Sequence, residues 1–179
     1  LGDAQATLAQ LPLEHVPSPA PLPAGSRMSL SRNPLFVGRE RALKTLAKVF
    51  RGDSAGGTVI TAGITGLGGI GKTQLAVEFA HRYGRFFAGG VFWLSFADPH
   101  AIRAEVAACG GMEGLRLRPD YDVLPLHKQV GPVLSAWQSP LPRLLIFDNF
   151  EDPNLLERWR PPTGRARVLV TTRQGAWRP

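Results

Sequence analysis

Apolar residues recur along this chain with two spacings, and the spacings divide it into alternating helices and strands. From Arg39 to Phe50, Leu43, Leu46, Ala47 and Phe50 fall three or four residues apart, which predicts an amphipathic helix with Arg41, Lys44 and Lys48 on other faces. Gly52–Gly57 reads as a turn, and Thr58–Ile64 is β-branched and apolar enough for a buried strand. A helix over Lys72–Tyr83 follows, with Leu75, Ala76, Phe79 and Ala80 sharing a face. Gly90–Phe96 and Arg143–Asp148 are nearly continuous apolar runs, as expected of parallel strands covered on both sides. Between them, Asp98 and Pro99 supply an N-cap and a first helical position for a helix reaching Cys109. Residues 110–121 read as a loop and Leu126–Trp137 as another helix, and a short helix near Asn154–Trp159 precedes a strand over Arg167–Thr172. This alternation predicts an α/β fold built on a mostly parallel sheet, with no internal repeat.

Residues 1–33 break the rhythm. Pro12, Pro17, Pro19, Pro21 and Pro23 fix their own φ and disfavour helix before them, so the stretch reads as an extended linker. Ala4–Leu11 fits the end of a preceding helix, and the folded domain is expected over residues 34–179. A linker implies a domain on its far side. The chain also opens at Leu1 rather than Met, so an excerpt of a longer protein is expected.

Composition narrows the classes. With 179 residues, 44% hydrophobic and 20% charged, the chain suits one soluble domain with a real core. No apolar run approaches the roughly 20 residues of a membrane span, and Asp3, Gln5 and Gln10 interrupt any signal-peptide core. A single cysteine, Cys109, forms no internal disulfide, and no paired Cys/His spacing suggests zinc; a reducing cytoplasm is expected. Cys109 itself reads as a small buried apolar side chain. His15, His81, His100 and His127 have no spacing for a shared metal, and Phe86, Phe87, Phe92, Trp93 and Phe96 read as packing rather than a base-stacking surface. The net charge of +7 raises nucleic-acid binding, and Arg158, Arg160, Arg165, Arg167, Arg173 and Arg178 could make a basic face. Lysine is confined to Lys44, Lys48, Lys72 and Lys128, however, and few arginines sit beside aromatics, so a composition preferring arginine is the expected cause and nucleic acid is not the expected partner.

The chemistry is concentrated at residues 66–73, Gly-Leu-Gly-Gly-Ile-Gly-Lys-Thr, which match G-x-x-x-x-G-K-[ST] between a strand and a helix. In this motif the glycines (Gly66, Gly68, Gly69, Gly71) let successive N–H groups, including that of Ile70, turn inward on an anion. The following helix adds the positive end of its dipole. Lys72 can reach β- and γ-phosphates, and the Thr73 hydroxyl is placed to ligate Mg²⁺. Gly66, Gly68 and Gly71 also fit a dinucleotide fingerprint, but Lys72-Thr73 and the lack of an acidic residue near position 90 favour the phosphate cradle and ATP or ADP.

Such a site needs a carboxylate at a neighbouring strand end. Leu144-Leu145-Ile146-Phe147-Asp148 provides it, with Asp148 on the metal side. Asn149 follows where many NTPases carry an acid. Asparagine can position a water but cannot accept its proton, so slow hydrolysis is expected. Glu151 and Asp152 are close enough to assist, although capping charge before Pro153 explains them equally well. Arg173 ends the strand Arg-Val-Leu-Val-Thr-Thr-Arg, where it either senses a γ-phosphate or lies at the surface.

Phe36-Val37-Gly38-Arg39-Glu40, Gly66–Thr73, Gly90–Leu94, Leu144–Asp148 and Val168–Arg173 occur in an order that resembles the NB-ARC domains of STAND-class signalling ATPases. The Asp148-Asn149 pair looks like the bacterial members joined to tetratricopeptide repeats. The resemblance covers residues 34–179 and implies a three-layer P-loop NTPase fold that continues beyond Pro179 into a fifth strand, a small helical domain and a winged helix. It implies a switch: closed with ADP, open and self-associating with ATP, coupled to an effector domain upstream and a sensor domain downstream. It also implies that Val37 and Arg39 contact base and nucleotide, that Arg173 reads the γ-phosphate, and that the Thr-Thr-Arg strand lies between the P-loop strand and the Asp148 strand. A conventional motor or kinase ATPase, and a nucleic-acid-binding ATPase, are the alternative readings.

Overall fold

The computed structural model describes residues 8–52, 59–65 and 71–174. The elements run α1 (Glu40–Arg51), β1 (Ile60–Ile64), α2 (Lys72–Tyr83), β2 (Val91–Ser95), α3 (Ile102–Ala108), α4 (Leu126–Trp137), β3 (Leu144–Asp148), α5 (Asn154–Trp159) and β4 (Arg167–Thr171). The four strands form one parallel sheet in the order β1-β4-β3-β2. The Thr-Thr-Arg strand therefore lies between the strand entering the glycine motif and the strand ending in Asp148. Residues 53–58, the turn and the first residue of the predicted first strand, lie outside the described residues.

Strand side chains alternate between two faces, and each face is covered. Leu144 and Ile146 point with Leu169 into a core completed by Leu43, Phe50, Leu75, Phe79 and Tyr83 of α1 and α2. Leu145 and Phe147 point the other way, with Val168 and Val170, against Ile102, Val106, Val133, Trp137 and Trp159 of α3, α4 and α5. Helix, sheet, helix: three layers. Aromatic rings fill both sides, with Phe79 stacked on Tyr83 at 4.7 Å between centroids and Phe96 on Phe147 at 4.4 Å. Among the described residues no helix is long and apolar enough to cross a membrane.

Two local expectations differ. α3 starts at Ile102, not at Pro99, because Asp98 spends its groups on a preceding turn: its Oδ1 accepts from His100 N at 2.9 Å and its carbonyl from Ala101 N at 3.0 Å. Arg167 is not part of a basic face. It is 1% exposed, and its guanidinium donates to the carbonyls of Phe50, in the last turn of α1, and of Gly52, its C-cap, at 2.9 and 3.1 Å.

Residues 8–33 dock along the domain: Leu8 and Ala9 are helical, in keeping with a helix end at Ala4–Leu11, and the proline-rich remainder contains no helix. Leu8 and Leu11 are buried in the α1/α2 core. Arg27 forms a parallel bridge at the free edge of β2, donating to Val91 O at 2.8 Å and accepting from Trp93 N at 2.9 Å, which covers an otherwise open strand edge. Buried Glu78 accepts from Arg32 (3.1 and 3.0 Å) and from Arg82 Nε (2.6 Å), tying the segment to α2.

Cys109 is buried as expected. Burial, only partly offset by the Arg27 charge, pushes its thiol up to about 12. Because the reactive species is the thiolate, thiol reagents should modify the native chain at pH 8 only as fast as it opens, and the urea-unfolded chain at once. Ellman's reagent in the two states checks this, and prompt reaction of the native chain would contradict it. The sign for stability follows from linkage. The unfolded thiol ionises first, so this contribution is intact below its unperturbed pKa of about 8.5. It is lost at roughly 1.4 kcal/mol per pH unit as pH rises toward the folded value.

Candidate functional site

β1 carries the chain to the C-terminal edge of the sheet, and α2 begins at the same edge. Gly66, Gly68, Gly69 and Ile70 of the proposed cradle, with Leu67, lie outside the described residues. The motif's last three residues are described. Gly71 has φ 73°, a left-handed conformation that a side chain would strain, and it precedes the first residue of α2. The first turn of α2 contains no acidic residue, so the positive helix end and Lys72 act together in favour of an anion.

Thr73 faces Asp148. Its hydroxyl donates to Asp148 Oδ1 at 3.0 Å, across 75 residues of sequence. The Thr171 hydroxyl donates to the same oxygen at 2.5 Å, and Asn149 N donates to Thr171 Oγ1 at 3.0 Å. Asp148 is only 6% exposed, so these hydroxyls orient a carboxylate that water barely reaches. Thr171 was not singled out from sequence. Its signal is the parallel register, Phe147 beside Val170, which sets the next residue of β4 beside Asp148.

Thr73 and Thr171, the two partners of Asp148, line a cleft of about 230 Å³ at the sheet's C-terminal edge, formed by Gly71, Lys72, Thr73 and Gln74, by Asn149 and Glu151, and by Thr171, Thr172 and Arg173. A crevice beyond the carboxyl ends of parallel strands is where such sheets bind ligands. Asn149 has φ 57°, a region asparagine tolerates better than most residues, and it turns the chain back so that Phe150 N donates to Thr171 O at 2.8 Å. The turn brings Glu151 to Arg173: Arg173 Nε donates to Glu151 Oε1 at 3.0 Å and Arg173 N to the same oxygen at 3.2 Å. Asp152 accepts from Asn154 N and Nδ2, each at 3.0 Å, in a turn ahead of α5, whose N-cap position is Pro153.

Arg39 and Val37 separate. Arg39, with φ 56°, precedes α1, and its guanidinium lies 3.8 Å from where a Cβ on Gly71 would stand. It borders a mostly apolar cleft of about 520 Å³ with Ala42, Leu46, Ile64 and Leu75. Val37 is 84% exposed and lines a different cleft of about 280 Å³ with Val16, Phe36 and Arg82. The structure thus brings Arg39, Gly71, Lys72, Thr73, Asp148 and Arg173 to one edge of the sheet and does not bring Val37 to the Lys72 cleft.

For Mg²⁺ the donor set is a hydroxyl and a carboxylate, both hard oxygen ligands. Among the described residues there is no cluster of three or more His, Cys, Asp or Glu that could hold a metal. Magnesium retains waters and takes phosphate oxygens, so one carboxylate and one hydroxyl fit it without such a cluster.

No family model matches the chain. Over 143 residues, 77% of its length, it is 30% identical to the Regulatory protein AfsR of Streptomyces coelicolor. The chain spans 14% of the length of that relative.

Proposed function

We propose that this chain is the nucleotide-binding core of a STAND-class signalling ATPase of the NB-ARC type, in which ATP and ADP exchange acts as a switch. The observation that carries the reading is the Thr73–Asp148 hydrogen bond, which joins the end of the glycine motif to the strand-end carboxylate at a cleft containing Lys72. Those two side chains would hold Mg²⁺, which supplies charge neutralisation on the β- and γ-phosphate oxygens. Lys72 and the α2 terminus attract the phosphates, and Arg173 faces the terminal one. The apolar cleft beside Arg39 suits a base, so the base contact rests on Arg39 rather than on Val37.

Hydrolysis is slow on this reading, far below the 1–10³ per second common among enzymes, because Asn149 offers no proton acceptor and Glu151 is engaged with Arg173. In the complete protein the ATP form self-associates and activates an effector, in bacterial defence or regulation. Similarity to a regulatory protein supports the signalling side.

Asp148→Asn tests the metal side while preserving an acceptor for the Thr73 and Thr171 hydroxyls. Affinity for ATP should fall about tenfold or more with Mg²⁺ present and change little in EDTA, as expected when a charged partner worth about 1.5–3 kcal/mol is neutralised. Isothermal calorimetry in both buffers decides it. An equal loss with and without Mg²⁺ would remove the metal role.

A further inference from the structure

We infer that Glu151 is a specificity-determining residue of the nucleotide cleft: its carboxylate holds Arg173 and so biases the site toward the diphosphate. The inference rests on the nucleotide reading above. Its own basis is the pairing at the cleft wall.

Arg173 is bound to Glu151 twice, through Nε at 3.0 Å and through its main-chain N at 3.2 Å, both on Oε1. The Glu151 carbonyl in turn accepts from Gln174 Nε2. Glu151 is set there by the left-handed turn at Asn149 and by the Phe150 N to Thr171 O bond, so its place follows from the sheet rather than from chance side-chain contact. The pair stands between two clefts. Asn149, Glu151 and Arg173 line both the Lys72 cleft and a neighbouring one of about 480 Å³, walled by Phe96, Pro99 and Leu155.

A guanidinium has a fixed fork of donors that suits either a carboxylate or a phosphate. While Glu151 occupies Nε, a terminal phosphate reaching into the cleft must compete for the same side chain. The diphosphate makes no such demand. Both groups are partly exposed, 69% for Arg173 and 36% for Glu151, so the competition is worth a few-fold in affinity and not orders of magnitude. That suits a bias rather than a block.

The test is a double-mutant cycle on the full chain with Mg²⁺, titrating ADP and a non-hydrolysable ATP analogue by calorimetry. Glu151→Gln keeps the shape and removes the charge. It should tighten the triphosphate by about three- to fivefold relative to ADP. In an Arg173→Ala background, which by itself weakens the triphosphate relative to ADP, the same change should leave the ratio of affinities unaltered. A gain that persists without Arg173 would show direct repulsion of the phosphate and overturn the inference. So would an unchanged ratio in Glu151→Gln, or an unchanged ratio in Arg173→Ala. Failure of the wild-type chain to bind either nucleotide defeats the underlying reading and this one with it, a result distinct from the other three.

Discussion

Lys72→Ala removes detectable nucleotide binding: the expected loss is about 100-fold or more for ATP and ADP alike. Lys72 begins α2, so its ammonium and the helix terminus converge on one cleft. Charge-assisted hydrogen bonds are worth about 1.5–3 kcal/mol each, and two of them to phosphate oxygens account for two or more orders of magnitude. Nucleotide at 100 times its Kd should stabilise the wild-type chain by about 2.7 kcal/mol, and the variant by almost nothing. Calorimetry and thermal unfolding with and without nucleotide read both effects. Lys72→Arg should lose part of the affinity, since a planar fork replaces a compact point charge. An alanine variant that binds as well as wild type would mean that the phosphates sit elsewhere.

The largest effect on stability is expected at Arg167, a position with no contact to the cleft. Its buried guanidinium donates to the Phe50 and Gly52 carbonyls, where the negative end of α1 would otherwise face the core unsatisfied. Methionine at this position keeps much of the volume and none of the donors. Apolar replacement of a buried charge is sometimes neutral, because the desolvation cost disappears with it. Here the Phe50 carbonyl remains buried while Gly52 is exposed, and a buried carbonyl left unsatisfied costs about 1–3 kcal/mol. Arg167→Met should therefore destabilise by about 2 kcal/mol, lowering Tm by roughly 4–8 °C for a domain of this size. Chemical denaturation checks the value, and a variant as stable as wild type would show that other groups satisfy the end of α1.

Much of the architecture was legible because local pattern and tertiary demand agree. α2 occupies the residues its spacing predicts, since apolar periodicity and burial coincide at Leu75, Ala76, Phe79 and Ala80, and α4 has the expected bounds as well. β3 could be read with the position of its acid, because four apolar residues running into Asp148 leave only the sheet's C-terminal edge for the carboxylate. α3 was misread at its start: Asp98 and Pro99 are turn formers as readily as helix starters, and only the hydrogen bonds decide between the two. The docking of residues 8–33 was hidden for a different reason. Proline density reports extension, and says nothing of whether an extended segment finds an edge to cover.

The sequence by itself determined the alternating helices and strands, the glycine motif with Lys72 and Thr73, and the acid that had to meet them. Short-range spacing encodes these, so no knowledge of the folded chain is needed to read them. Only the tertiary structure decided which partners meet. It placed Thr171 on Asp148, Glu151 on Arg173 and Arg167 beneath α1, and it set Val37 and Arg39 on different clefts. Each of those outcomes depends on strand register or on a turn, and neither leaves a periodic trace in the chain.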